Sequence, residues 1–180
     1  MFLRHIHPRA FKRLALAILC VAVVGGTDKA AAQESREASL TAAMIYNFAR
    51  FTTWPEEYVE TAPSFQICAN GDTSVFNALK GLEAKSIKDM QLAVHDAREA
   101  KEGGIACHIQ LIDAVVDPSD EQKPGTLYVA THEGLGADKM ASLTLIRVGR
   151  QTRFIANPDA AKQSDVQLSS KLLDLAIKVW

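Results

Sequence analysis

The segment ACHIQLIDAVV, Ala106–Val116, decides how the chain is read, because it is an apolar run rich in Ile, Leu and Val. Such a run reads as a strand. Two segments of the same kind flank it, QLAVHDA (Gln91–Ala97) and TLYVATHE (Thr126–Glu133). Further upstream SFQICANG (Ser64–Gly71) reads as a strand running into a Gly71-Asp72 turn, and SVFNALKG (Ser74–Gly81) as a short helix closed by a left-handed Gly81. Connectors rich in Lys, Glu, Gly and Pro separate these pieces. Strands alternating with helical connectors predict an α/β fold: a single-domain sandwich with a central, mostly parallel sheet and flanking helices.

The rhythm changes toward the end. SLTLIRVGRQTRFIANP (Ser142–Pro158) holds two alternating runs joined by Gly149-Arg150-Gln151, which predicts an antiparallel hairpin added at the sheet edge. VQLSSKLLDLAIKVW (Val166–Trp180) predicts one helix with Leu168, Leu172, Leu175 and Val179 on a stripe, Leu173, Ala176 and Trp180 beside it, and Ser169-Ser170 as the cap. At the other end, the spacing of Leu40, Met44, Phe48 and Phe51, widened by Ala43 and Ile45, predicts a helix from Ser35 that stops before Trp54-Pro55.

Residues 1–32 have the pattern of a secretory leader: Arg4, Arg9, Lys12 and Arg13, then apolar Leu14–Val24, then Ala30, Ala31 and Ala32 before a cut. The apolar run is shorter than the roughly 18–20 residues that cross a bilayer. The expected mature domain is residues 33–180, 148 residues, enough for one domain with a substantial core. Of 20 Lys and Arg and 21 Asp and Glu, the leader removes five basic residues and Asp28, which leaves 15 against 20, a net charge of −5. That balance disfavours nucleic acid, whose non-specific binding depends on Lys and Arg displacing counterions. An exported chain meets an oxidising space, and the even pair Cys68 and Cys107 predicts a disulfide, with two separate buried thiols as the alternative.

No catalytic or metal-binding constellation is visible. His95, His108 and His132 include no i, i+4 pair, and neither HExxH, CxxC nor a G-x-S-x-G elbow occurs. A thiol enzyme built from Cys68 or Cys107 with His95 conflicts with the expected bond, which would consume the nucleophile. EGLGADK (Glu133–Lys139) has two of the three glycines of a dinucleotide loop, with Lys139 where the third should be. Asp113, Asp117, Asp120 and Glu121 form an acidic run around Pro118 that reads as a solvated loop. These features predict a protein that is not an enzyme and has no cofactor or metal.

AAMIYNFARFTTWP (Ala42–Pro55) and RFIANPDAAKQSDVQLSSKLLDLAIKV (Arg153–Val179) resemble the YfiR family of exported bacterial proteins. FQICANGD (Phe65–Asp72) and ACHIQLID (Ala106–Asp113) fall in order where that family places a strand ending C-x-x-G-D and a strand with C-H/R-I-x-x-I. The resemblance implies a periplasmic, non-enzymatic inhibitor that binds the periplasmic sensor part of an inner-membrane diguanylate cyclase, lowering cyclic di-GMP and restraining biofilm formation. It also implies a homodimer, and sequestration by an OmpA-like outer-membrane lipoprotein. Cys68 and Cys107 match one family cysteine pair. The second pair found in some relatives is missing, since Leu145, Ile146, Gly149 and Gln151 occupy the late hairpin, and Met140-Ala141-Ser142-Leu143 replaces a Gly-Gly-Met-Ile-like entry.

Four residues stand out as candidates for partner contact. Trp54 fits either the core edge or an interface, where tryptophan is enriched. Arg153, Asn157 and Lys171 fit a partner site, or salt-bridge and turn roles. A rival reading places a periplasmic small-molecule site or small enzyme in a strand-end crevice near Gly134 and Gly136, lined by His132, Glu133 and Lys139.

Overall fold

In a computed structural model of the chain, residues 27–116 and 121–180 are described. The predicted leader falls outside the described residues as far as residue 26, as do Asp117, Pro118 and Asp120 of the acidic run. Helix α1, Thr27–Arg50, leads into β1 (Thr52–Thr53), α2 (Glu56–Val59), β2 (Phe65–Ala69), α3 (Ser74–Lys80), β3 (Ser86–Ile87), β4 (Met90–Asp96) and α4 (Ala97–Glu102). The second half runs β5 (Ile109–Ile112), β6 (Leu127–Ala130), β7 (Leu143–Val148), β8 (Gln151–Ala156), α5 (Pro158–Gln163), β9 (Gln167–Leu168), α6 (Ser170–Leu175) and β10 (Lys178–Val179). Of the compact unit that precedes Ala38, only the helical residues Thr27–Glu37 are described, with Gln33 donating to Glu37 at 2.6 Å.

Ala38–Trp180 form a mostly parallel eight-stranded sheet in the order β10-β8-β7-β6-β5-β2-β4-β3, plus a small β1-β9 ribbon. β8 and β7 pair antiparallel, as do β4 and β3, and the other pairs of the large sheet are parallel. Partners directly across a ladder point to the same face. Ile67 lies level with Val94 and Ile109, Leu111 with Val129, Val129 with Leu143, and Leu145 with Phe154. This apolar face carries the main core, with Ala42, Ile45, Phe48 and Ala49 of α1 and Leu79 of α3. Phe48 meets Phe154 edge-on at 4.9 Å. The opposite face is mixed: Gln66, Cys68, His95, Gln110, Tyr128 and Thr144 follow the complementary register. Part of it lies under the 131–142 segment, whose Leu135, Ala137 and Ala141 form a second cluster with Ile112, Tyr128 and Ala130.

The α/β class, the parallel sheet and the hairpin are as the sequence predicts, with four local differences. The buried stripe of α1 is Ala38, Ala42, Ile45, Phe48 and Ala49, whereas Leu40 is exposed and Met44 and Phe51 are half-buried. Small alanines let the helix approach the sheet closely, so large residues alone misplace the face. The hairpin is not an edge addition, because β7 pairs with β6 and β8 is covered by β10. Gly81 closes α3 with right-handed φ −63 and its N–H on Asn77 O, so it needs no left-handed conformation.

The fourth difference is the C-terminal segment, which is not one helix. Leu168 pairs with Thr52, Ser169 caps α6 by accepting from Leu172 N, and Ala176 turns extended at ψ 141. Ile177 N then donates to Phe154 O, and Trp180 N to Ala156 O, both at 3.0 Å. The unpaired edge of β8 offers these acceptors, and β-branched Ile177 and Val179 suit a strand. Leu175, Val179 and Trp180 are left 60%, 46% and 65% exposed.

Candidate functional site

The mixed sheet face gathers polar groups along β2, at the end of β4 and on the approach to β5. Cys68 and Cys107 form a disulfide there, with Cα atoms 5.8 Å apart across a sequence separation of 39. Beside Cys68 on the same face, His95 Nε2 meets Gln66 Oε1 at 2.5 Å, and Gln66 Nε2 donates to Ser64 Oγ at 2.9 Å. Alternation along β2 explains the arrangement: Phe65, Ile67 and Ala69 face the core, which turns Gln66 and Cys68 the other way. That period-2 signal was present in SFQICANG, yet Gln66 and His95 were not among the residues singled out for contact.

His108 is buried and ties three segments together. Its Nδ1 accepts from Gln66 N at 2.9 Å, its Nε2 donates to Tyr58 O at 2.9 Å, and its ring stacks on Phe65 at 4.7 Å. This pattern needs the neutral imidazole, with a lone pair on Nδ1. Burial pushes the His108 pKa below the ordinary histidine value, against the opposing pull of its bond to the Tyr58 carbonyl.

A hollow of about 520 Å³ opens against this cluster, walled by Tyr58, Pro63, Ile105, Cys107 and Pro124, with Gln66 and His95 also lining it. A second hollow of about 350 Å³ lies past Cys107, between Lys101, Asp113, Val116 and Tyr128. The wall of the first depends on Gly125, which has φ +73 and where a Cβ would sit 2.5 Å from Tyr58 Cγ. Gly134 shares the left-handed conformation, φ +83, but has open space around it. Gly125→Ala is therefore expected to cost about 2–4 kcal/mol of stability, conformational strain plus overlap, against about 1 kcal/mol for Gly134→Ala. Denaturant midpoints measure both; equal losses would mean that Tyr58 moves aside freely.

Among the described residues no group of three His, Cys, Asp or Glu converges as a metal site needs, and no helix is long and apolar enough to cross a membrane. The comparison with family models matches the YfiR/HmsC-like description over residues 38–177, more than three quarters of the chain. The chain belongs to the YfiR/HmsC-like family. The comparison with curated proteins returns no match.

In this YfiR/HmsC-like chain the sequence-selected residues are dispersed. Trp54 is 4% exposed, edge-on to Phe65 at 5.1 Å, and its Nε1 donates to His108 O at 3.2 Å. Its ring belongs to the core. Asn157 caps α5 by accepting from Ala160 N at 3.0 Å, and its Nδ2 donates to Asp138 O at 3.2 Å. Arg153 is exposed on β8, and Lys171 is exposed on α6. The crevice near Gly134 is a hollow of about 370 Å³ that takes in Glu133, Asp138, Asn157 and Trp180, but its lining does not include His132, Gly136 or Lys139.

Proposed function

We propose that this protein is a periplasmic, non-enzymatic regulator that binds the periplasmic sensor part of an inner-membrane diguanylate cyclase and holds the enzyme inactive, lowering cyclic di-GMP and biofilm formation. The observation that carries this reading is membership of the YfiR/HmsC-like family over residues 38–177. Support comes from the leader pattern in residues 1–32, whose export would deliver the domain to the periplasm. Both mature cysteines are joined, which leaves neither as a nucleophile. A homodimer matches a two-fold receptor, and an OmpA-like outer-membrane lipoprotein is the proposed competitor for the inhibitor.

An inhibitor on one side of a membrane alters chemistry on the other only by binding one receptor conformation better than another. Tenfold suppression of the active state requires about 1.4 kcal/mol of differential affinity. Arg153 and Lys171 are the proposed surface contacts, with Asn157 positioning the β8–α5 corner between them in sequence. Deleting the gene should raise cyclic di-GMP severalfold, and the tagged protein should capture a cyclase from detergent-solubilised membranes. Unchanged cyclic di-GMP with no cyclase captured would refute the assignment. Arg153→Glu with Lys171→Glu should keep the unfolding midpoint and lose the captured enzyme.

A further inference from the structure

We propose that the hollow beside the disulfide is a binding site for a small uncharged aromatic compound that carries a hydrogen-bond donor at one end and a carbonyl acceptor at the other. At about 520 Å³ it lies within the size range of sites that enclose drug-sized ligands. Its wall includes Tyr58, Pro63, Ile105, Cys107 and Pro124, which offer flat or aliphatic surface to a ring system. Among the described residues no Asp, Glu, Lys or Arg lines it. A carboxylate, phosphate or ammonium placed there would lose hydration without meeting an opposite charge, so charged ligands are disfavoured.

The polar groups of the wall narrow the class further. His108 has both ring nitrogens engaged, with Gln66 N and Tyr58 O, and the Thr61 hydroxyl donates to Glu57 O. The Gln66 amide is engaged at both ends, by His95 Nε2 and Ser64 Oγ. Because Gln66 Oε1 can only accept, His95 Nε2 is the donor, and in the neutral ring Nδ1 is left with a lone pair. Because Ser64 Oγ accepts from Gln66 Nε2, its own proton is left to donate. The hydrogen-bonded chain Ser64–Gln66–His95 thus presents one donor and one acceptor at its two ends, separated by the length of an amide and its two bonds. The complementary ligand donates to His95 from an O–H or N–H, accepts from Ser64 through a carbonyl, and has a flat apolar body between.

The site is separate from the proposed cyclase contacts, so direct binding tests it whether or not a cyclase is captured. The probe is 6-acetyl-2-naphthol, an uncharged fluorophore whose emission responds to polarity, titrated into the disulfide-bonded protein at neutral pH. Saturable one-to-one binding with blue-shifted emission is expected. The anion 6-hydroxy-2-naphthoate, with the same rings and hydroxyl, is expected to bind at least about tenfold more weakly, and His95→Phe or Ser64→Ala to weaken the ketone by about tenfold each. Ala106→Trp, at an exposed lining position, is expected to fill the hollow and abolish binding while leaving the unfolding midpoint unchanged, as for an ordinary surface change. Absence of saturable binding overturns the proposal. So does equal affinity for the naphthoate, or ketone binding that survives all three substitutions in folded protein.

Discussion

Trp54→Ala is expected to lower unfolding free energy by about 3–5 kcal/mol, the usual loss for a large aromatic removed from a packed core. Trp54 is 4% exposed and lies edge-on to Phe65 at 5.1 Å, so little of its surface is available for a partner. Truncation leaves a cavity among residues of β2 and the entry to β5, where the surrounding sheet cannot collapse. Trp54→Phe is expected to cost less, about 1–2 kcal/mol. It keeps most of the packing and loses the indole bond to His108 O, a carbonyl that still accepts from Leu127 N at 2.9 Å. Chemical denaturation followed by far-UV circular dichroism measures both variants. An alanine variant within 1 kcal/mol of the parent would return Trp54 to the list of contact residues.

Replacing both Cys68 and Cys107 by alanine is expected to cost about 2–4 kcal/mol. For the observed separation of 39, chain entropy alone gives about 4 kcal/mol, because the bond withholds open conformations from the unfolded chain. The buried alanine at position 68 adds little, since Cys68 is replaced by a slightly smaller apolar group in the middle of β2. Reducing the parent with dithiothreitol should give a denaturation midpoint close to that of the double variant. If the oxidised parent and the double variant unfold at the same denaturant concentration, the bond does not constrain the unfolded state as argued.

Much of the architecture was legible because it rests on local patterns. SFQICANG, QLAVHDA and TLYVATHE became β2, β4 and β6, and ACHIQLIDAVV contains β5, because short apolar runs between turn residues suit buried strands. The two alternating runs around Gly149 became β7 and β8. Ser169 caps a helix as its position before an apolar segment predicted. The candidate site was legible only in part. Parity and compartment pointed to Cys68 and Cys107, but Tyr58, Gln66, His95 and Gly125 come from four separate segments that no spacing rule connects.

The sequence by itself determined the class of fold, the positions of the main strands along the chain and the family, since each depends on residues close together along the chain. Tertiary structure decided the rest. Leu172 to Val179 has a helical stripe, yet α6 ends at Leu175 because the edge of β8 supplies acceptors for Ile177 and Trp180 that a continued helix could not use. Trp54 could have faced solvent or core until Phe65 and the His108 carbonyl came beside it. Cys68 has Gln110 as its ladder partner, so its bond depends on the chain before β5 bringing Cys107 across the polar face. In each case a contact between segments distant in sequence outweighs a local preference worth a few tenths of a kcal/mol per residue, and such contacts exist only once the sheet is assembled.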